Sequence, residues 1–171
     1  GGPTLFLREY AEDPESCWIV GGTPYFDTDT LRVLHTRAPT PFSPQRGNEP
    51  AIYPENGSID LASEERVIIG CDPSHGIGGD RHAWIARALP TWRPIASFAS
   101  NLIDPDDVAV QLETWGRRLG NALIVVESNI PTVVNRLGKS TYPTRLIYHQ
   151  QQIKADHSRA GQTLGFNTSS A

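Results

Sequence analysis

Three acids stand at positions where an acid is costly unless it does chemistry. Asp72 ends the apolar run "RVIIGC", Asp80 follows across the glycine-rich loop "PSHGIGG", and Glu127 ends a second apolar run, "ALIVV". A buried strand delivers the side chain at its C-terminal end to the edge where ligands bind in open α/β sheets. If the two apolar runs are parallel neighbours, Asp72 and Glu127 emerge at one edge. A strand returning from the loop brings Asp80 back to it. Like charges packed this closely repel, and each resists ionising. A hard divalent cation relieves that repulsion, and all-oxygen ligation suits Mg2+ or Mn2+ rather than Zn2+. Two such ions activate a water and stabilise the leaving oxygen of a phosphodiester. The expectation is therefore that Asp72, Asp80 and Glu127 meet as one metal-binding cluster.

Each acid also has a plain structural reading. Asp72 can open a turn before Pro73, Asp80 can be a solvated loop acid, and Glu127 can cap a helix that begins near Pro131. Asn129 either braces Glu127 and touches a scissile phosphate, or is ordinary turn chemistry. His75, Arg81, Arg136 and Lys139 are candidate contacts to DNA, and are equally what an exposed surface carries. Trp92 and Trp115 read as packing residues. "GIGG" (76–79) lacks the Lys-Ser/Thr of a phosphate-cradling P-loop. No Gly-x-Ser-x-Gly nucleophile elbow and no zinc-spaced Cys/His set occur in the chain.

The elements that must position these residues follow from periodicity and turn signals. Runs at 66–71, 82–89 and 93–100 are strands, and their short links favour an antiparallel meander. The first of them reads as buried on both faces. Residues 104–120 read as a helix: Asp104 caps it, Pro105 suits its first position, Asp106 and Asp107 complement the dipole, and Gly120 ends it. Val108, Leu112, Trp115 and Leu119 form its apolar face. A strand at 121–128, a short helix at 131–139 and a strand at 144–150 complete the order. A helical crossover makes the strands at 66–71 and 121–128 parallel. The tail from 151 is polar and shows no closing element. Residues 1–60 are irregular and proline-rich, with a short strand in 16–26 and a short helix at 28–37. They read as an extension packed through Trp18, Ile19, Tyr25 and Phe26.

Bulk composition agrees with a globular chain. Of 171 residues, 38% are hydrophobic and 20% charged, enough for one domain with an extension. The net charge of −4 argues against tight autonomous nucleic-acid binding, although a carboxylate site is itself acidic and bound cations reverse its field. With only Cys17 and Cys71, no disulfide framework is implied, and Cys71 reads as a buried thiol. No apolar stretch spans a membrane and no signal peptide opens the chain, so the expected compartment is cytoplasmic. The start at Gly1 and the lack of Met read as a piece of a longer chain.

The ordered set "IIGCDPSHGIGGDRHAWIARA" and "GNALIVVESN" resembles the nuclease domain of large terminase subunits, the DNA-packaging motors of tailed bacteriophages. "FLREYAEDPESCWIVGGTPYFD" (6–27) is similar to the family's segment between motor ATPase and nuclease, and "LGFNTSSA" (164–171) to its Gly-aromatic-x-Thr stretch. The resemblance implies a ribonuclease H-like mixed sheet, a three-strand antiparallel meander followed by parallel strands linked by helices, with helices on both faces. It implies residues 1–62 as the extended linker and 63–171 as the nuclease domain, C-terminally incomplete. It also implies a two-metal endonuclease, with Mg2+ or Mn2+ as cofactor, that cuts concatemeric double-stranded DNA during packaging. In that reading Asp72 bridges two ions, Glu127 binds one, and Asp80 is an accessory acid. The family's further Asp lies beyond the Gly-aromatic-x-Thr stretch, past Ala171. Implied partners are viral duplex DNA, the ATPase domain of the same chain, the small terminase subunit and the portal protein, in the host cytoplasm and away from any membrane. Two other readings stand beside this one: another ribonuclease H-like nuclease such as a resolvase or transposase, and a non-catalytic docking module.

Overall fold

The computed structural model describes residues 27–54, 57–62, 64–153 and 159–167. The strand expected in 16–26, and the packing residues Trp18, Ile19, Tyr25 and Phe26, lie outside the described residues. The chain divides into two compact units, 1–40 and 41–171. The first holds helix α1 (Thr28–Arg37), as its sequence predicts. Asp27 caps it by accepting from the Thr30 amide at 2.8 Å, which satisfies one of the orphan N–H groups of the first turn.

The second unit is built on a five-stranded mixed sheet. Its strands are β1 (Ala51–Ile52), β2 (Arg66–Asp72), β3 (His82–Leu89), β4 (Arg93–Ser100) and β5 (Leu123–Val126), in the order β1-β4-β3-β2-β5. β2, β3 and β4 form the antiparallel meander, and β5 lies parallel to β2 with Cys71 opposite Val126. Helix α2 (Pro105–Arg118) makes the crossover between β4 and β5. This is the mixed α/β arrangement the sequence predicts, and it sets the C-terminal ends of β2, β4 and β5 at one edge.

α2 is built as expected. The Asp104 carboxylate accepts from the Asp107 amide at 2.9 Å, Pro105 opens the helix, and Gly120 follows its end at φ +71°. Val108, Leu112, Trp115 and Leu119 are all buried. Asp104→Ala removes that cap and should cost about 1 kcal/mol, read by urea unfolding. Helix α3 (Pro131–Lys139) packs against α2 and buries Val133, Val134 and Leu137 in the same core. Helices were expected on both faces; within this unit, among the described residues, they cover one. β2 shows the consequence: Val67, Ile69 and Cys71 are buried, while Ile68 and Gly70 are partly exposed on the other face. The continuous apolar run therefore does not mark a strand buried on both sides.

Three further differences from expectation have local causes. Within residues 41–54, expected with the N-terminal segment, lies an edge strand of the sheet. β1 pairs with β4, and the Gln45 side-chain amide bonds both the N–H and the C=O of Ala99, at 2.9 Å each. Arg93 on β4 grips Glu65 at 2.8 and 3.0 Å and so ties the segment before β2. Residues 144–150 begin as a 3-10 turn (Thr144–Leu146), and only Ile147 bridges Ile124. Finally, the polar stretch expected to lack a closing element forms a hairpin of β6 (His149–Ile153) and β7 (Arg159–Leu164). Its pairing is made by backbone bonds that polar side chains do not oppose, so hydropathy does not reveal it. Among the described residues, no helix is long and apolar enough to cross a membrane.

Candidate active site

The parallel pairing of β2 and β5 places Asp72 and Glu127 side by side. The Glu127 amide continues the ladder by donating to the Cys71 carbonyl at 3.0 Å. The Asp72 carboxyl lies within interaction range of the Glu127 carboxyl and of the Asn129 side-chain amide. Lost hydration raises the Asp72 carboxyl above the ordinary carboxylate range. The nearby Glu127 carboxyl and its negative charge raise it further, and the Asn129 amide pulls the other way. A pair of acids held so close is stable with either a proton or a cation between them.

Glu127 is also fixed from its other side. Gly165 and Phe166 run beside the end of β5, where the Phe166 amide donates to the Val126 carbonyl at 2.9 Å and the Ser128 amide to the Phe166 carbonyl at 2.7 Å. Gly165 sits at φ +77°, and a Cβ there would lie 2.7 Å from the Val126 carbonyl oxygen. Only glycine permits this approach. The Gly-aromatic step is thus the outer wall of the acid pair.

Asp80 is not brought to the pair. The loop between β2 and β3 folds the opposite way, over the end of β4. The Gly78 amide donates to the Asn101 carbonyl at 3.1 Å, and the Asn101 side chain donates back to Gly79 at 3.2 Å. Ser74 donates its hydroxyl to the Asp80 carbonyl, and the Asp80 residue is exposed. Because β4 and β5 lie on opposite sides of β2, a loop tied to β4 carries Asp80 away from Glu127. Among the described residues, no group of three Asp, Glu, His or Cys side chains converges as a metal cage. The three-acid cluster is therefore a pair, with Asn129 as its third polar member.

The residue that fixes this loop is His82, which sequence reasoning passed over. It is fully buried at the start of β3. Its Nδ1 accepts from the Ser74 amide at 3.0 Å, and its Nε2–H donates to the Ile103 carbonyl at 3.0 Å. The two partners set the neutral tautomer. The signal was present: His82, Trp84, Ala86 and Ala88 share one inward face by the two-residue period of a strand.

The other candidates scatter. His75 and Arg81 are exposed on the loop, near the acid edge. Arg136 faces Asp106 of α2 at 3.9 Å, and Lys139 is in the last turn of α3. Since α3 starts just after the acid edge, Lys139 lies roughly 12 Å along the helix from it. Trp115 packs in the core, but Trp92 is 55% exposed. Trp92 lines, with Asp72, Ile68, Ile85, Arg87 and Phe166, a groove of about 750 Å3 on the sheet face opposite α2 and α3. Beside the pair, burial and then the Asp72 charge push the Cys71 thiol up to about 12, so it supplies no thiolate at neutral pH.

The chemistry of this donor set fits a hard divalent cation: two carboxylates and an amide, all offering oxygen, with no soft ligand available. No protein-family profile matches the chain, and no curated protein matches it. Among solved structures, the chain is similar to the large terminase nuclease from thermophilic phage G20c. That similarity has 11% sequence identity and a TM-score of 0.47, and covers 70% of this chain and 81% of that one. A likeness of that degree carries no argument about this chain, and the chemistry of the site rests on its own residues.

Proposed function

We propose that the chain is a Mg2+- or Mn2+-dependent endonuclease domain of ribonuclease H-like type that hydrolyses phosphodiesters of double-stranded DNA. The observation that carries this is the Asp72–Glu127 pair, set side by side at the C-terminal ends of the parallel strands β2 and β5, where Glu127 helps hold the Asp72 carboxyl above its ordinary range. Asp72 and Glu127 hold the cation, and Asn129 orients Asp72. When bound, the ion supplies Lewis-acid polarisation of the phosphate and lowers the pKa of an attacking water. The ordered sequence resemblance supports the narrower reading that the substrate is concatemeric viral DNA. In that reading the chain works with a motor ATPase, a small terminase subunit and a portal.

The test is conversion of supercoiled plasmid to nicked and linear forms by the purified chain in Mn2+ or Mg2+. Expected are cleavage in either ion and none in EDTA. No cleavage in any divalent ion, by this chain or by one extended past Ala171 to include the further Asp, would remove the enzyme reading. Preference for branched over linear duplex would move it to a resolvase-like nuclease. A second reading, a non-catalytic docking module, is favoured by the absence of a third converging acid among the described residues. Calorimetry showing no Mn2+ binding at millimolar concentration, even in a chain extended past Ala171, would select it.

A further inference from the structure

Residues alternate along β2, so Ile68, Gly70 and Asp72 share the face turned away from α2 and α3. Glu127 follows the buried Val126 and takes the same face. The acid pair therefore opens onto the groove that Asp72 lines. Small residues, Gly70, Ala83, Ser97 and Ala99, make the groove's centre. Among its lining residues Arg87 is the one cation and Asp72 the one acid. Trp92 stands at the far end, in the turn past Leu89, which pairs with Arg66 at the other end of β2 from Asp72. The length of β2 puts Trp92 about 20 Å from the acid pair. Trp92 is held there under strain. Its φ is +60°, a left-handed backbone that bulky side chains rarely adopt. Its amide donates to the Ala88 carbonyl at 2.7 Å, and the Arg87 guanidinium donates to the Trp92 carbonyl at 2.8 Å. These bonds fix an indole that is still more than half exposed. Strain kept in place around an exposed aromatic ring points to a ligand for that ring.

We propose that the groove receives a single strand of DNA, with an unpaired base stacked on Trp92 and the strand running toward the acid pair. The proposal deepens, and rests on, the nuclease reading: the strand to be cut enters unpaired, drawn out of its duplex. Single-strand sites join an aromatic platform to a groove that follows the backbone, and a length of about 20 Å suits about four nucleotides. Base faces are flat and apolar, which fits a floor of small apolar residues. A duplex keeps those faces inside its stack and offers the groove only its charged backbone. A strand also meets both ends of the groove at once. Arg87, beside the platform, takes one phosphate, and the cation of the acid pair takes another. An apolar peptide would cover the floor and leave both charges unmet. With one cation in the lining, stacking carries the binding, in keeping with a chain of net charge −4.

The experiment measures fluorescence anisotropy of a labelled eight-nucleotide oligothymidylate, and of the same strand paired with oligoadenylate, in EDTA so that no cutting occurs. Expected is tighter binding of the single strand than of the duplex. Trp92→Asn should weaken the single strand about tenfold, and Trp92→Tyr, which keeps a stacking face, should restore most of the affinity. Asn tolerates a left-handed backbone, so the melting temperature should not fall. The salt dependence should be shallow, a slope of about −0.7 for one phosphate contact. Duplex binding as tight as single-strand binding would overturn the proposal, as would a folded Trp92→Asn chain that binds the oligothymidylate like its parent. Loss of self-association in that variant, at unchanged oligothymidylate affinity, would make the groove a protein contact instead. Plasmid cleavage separates the two readings. Metal-dependent cutting without a Trp92-dependent affinity defeats the groove alone. Trp92-dependent binding without cutting, by this chain or one extended past Ala171, defeats the nuclease alone.

Discussion

Asp72→Asn should abolish metal-dependent plasmid cleavage, by about a thousandfold or more, and leave the fold at least as stable as the parent. The loss follows from removing the carboxylate that faces Glu127, since a cation's charge stabilisation is worth several kcal/mol of barrier. Glu127→Gln should act alike, and cleavage surviving both would end the nuclease proposal. The stability half is less usual for an acid. Lost hydration and Glu127 hold the Asp72 carboxyl above its ordinary range. Between the ordinary and the raised value, the folded chain keeps a proton that the unfolded chain has released. Stability therefore falls as pH rises through that window, and the fall is complete above it. Asp72→Asn removes this term, so its advantage over the parent should grow from about pH 4 upward and then level off. Urea unfolding at stepped pH reads the trend. Mn2+ should raise the parent's melting temperature, because it binds only the folded pair, and should leave Asp72→Asn unmoved. A variant much less stable than its parent at neutral pH would instead make Asp72 a turn acid that supports Pro73.

What the sequence made legible, and what it hid, divides by the range of the interaction. The caps and apolar face of α2 are local, and Asp104, Pro105, Val108, Leu112, Trp115 and Leu119 each take the expected place. The pairing of Asp72 with Glu127 is long-range but needs only one rule, that a helical crossover joins parallel strands. Asp80 failed because a loop's direction is not periodic. Hydrogen bonds between Asn101 and the glycines at 78 and 79 decide it, and nothing in "GIGGD" names Asn101 as their partner. The open face of β2 was hidden for a related reason. Ile68 and Gly70 look like a buried strand in sequence, and only the placement of α2 and α3 on the same side shows that, among the described residues of this unit, no helix covers the other face.

Gly165→Ala should be a damaging small substitution beside the acid pair, and Gly70→Ala the contrast that shows why. At Gly165 the backbone is left-handed, φ +77°, and the new Cβ meets the Val126 carbonyl at 2.7 Å, with Ser128 and Val134 atoms at 3.3 Å. The nearest neighbour is strand backbone, which has no rotamer to turn away. Either β5 shifts or the Gly165–Phe166 segment lifts from it, breaking the bonds from Phe166 to Val126 and from Ser128 to Phe166. Left-handed strain and overpacking together should cost about 3 kcal/mol. Because that segment bridges Glu127, cleavage should fall more than the folded fraction does, when assayed well below the melting temperature. At Gly70, in mid-strand, an added Cβ meets nothing within 4 Å. Alanine there should stabilise by about 0.5 kcal/mol, since glycine loses more chain entropy on folding. One chemical change thus carries opposite signs at two positions of one sheet. Thermal unfolding of the two variants beside the parent decides it: a Gly165→Ala chain melting with its parent would show that Phe166 does not hold Glu127 in place.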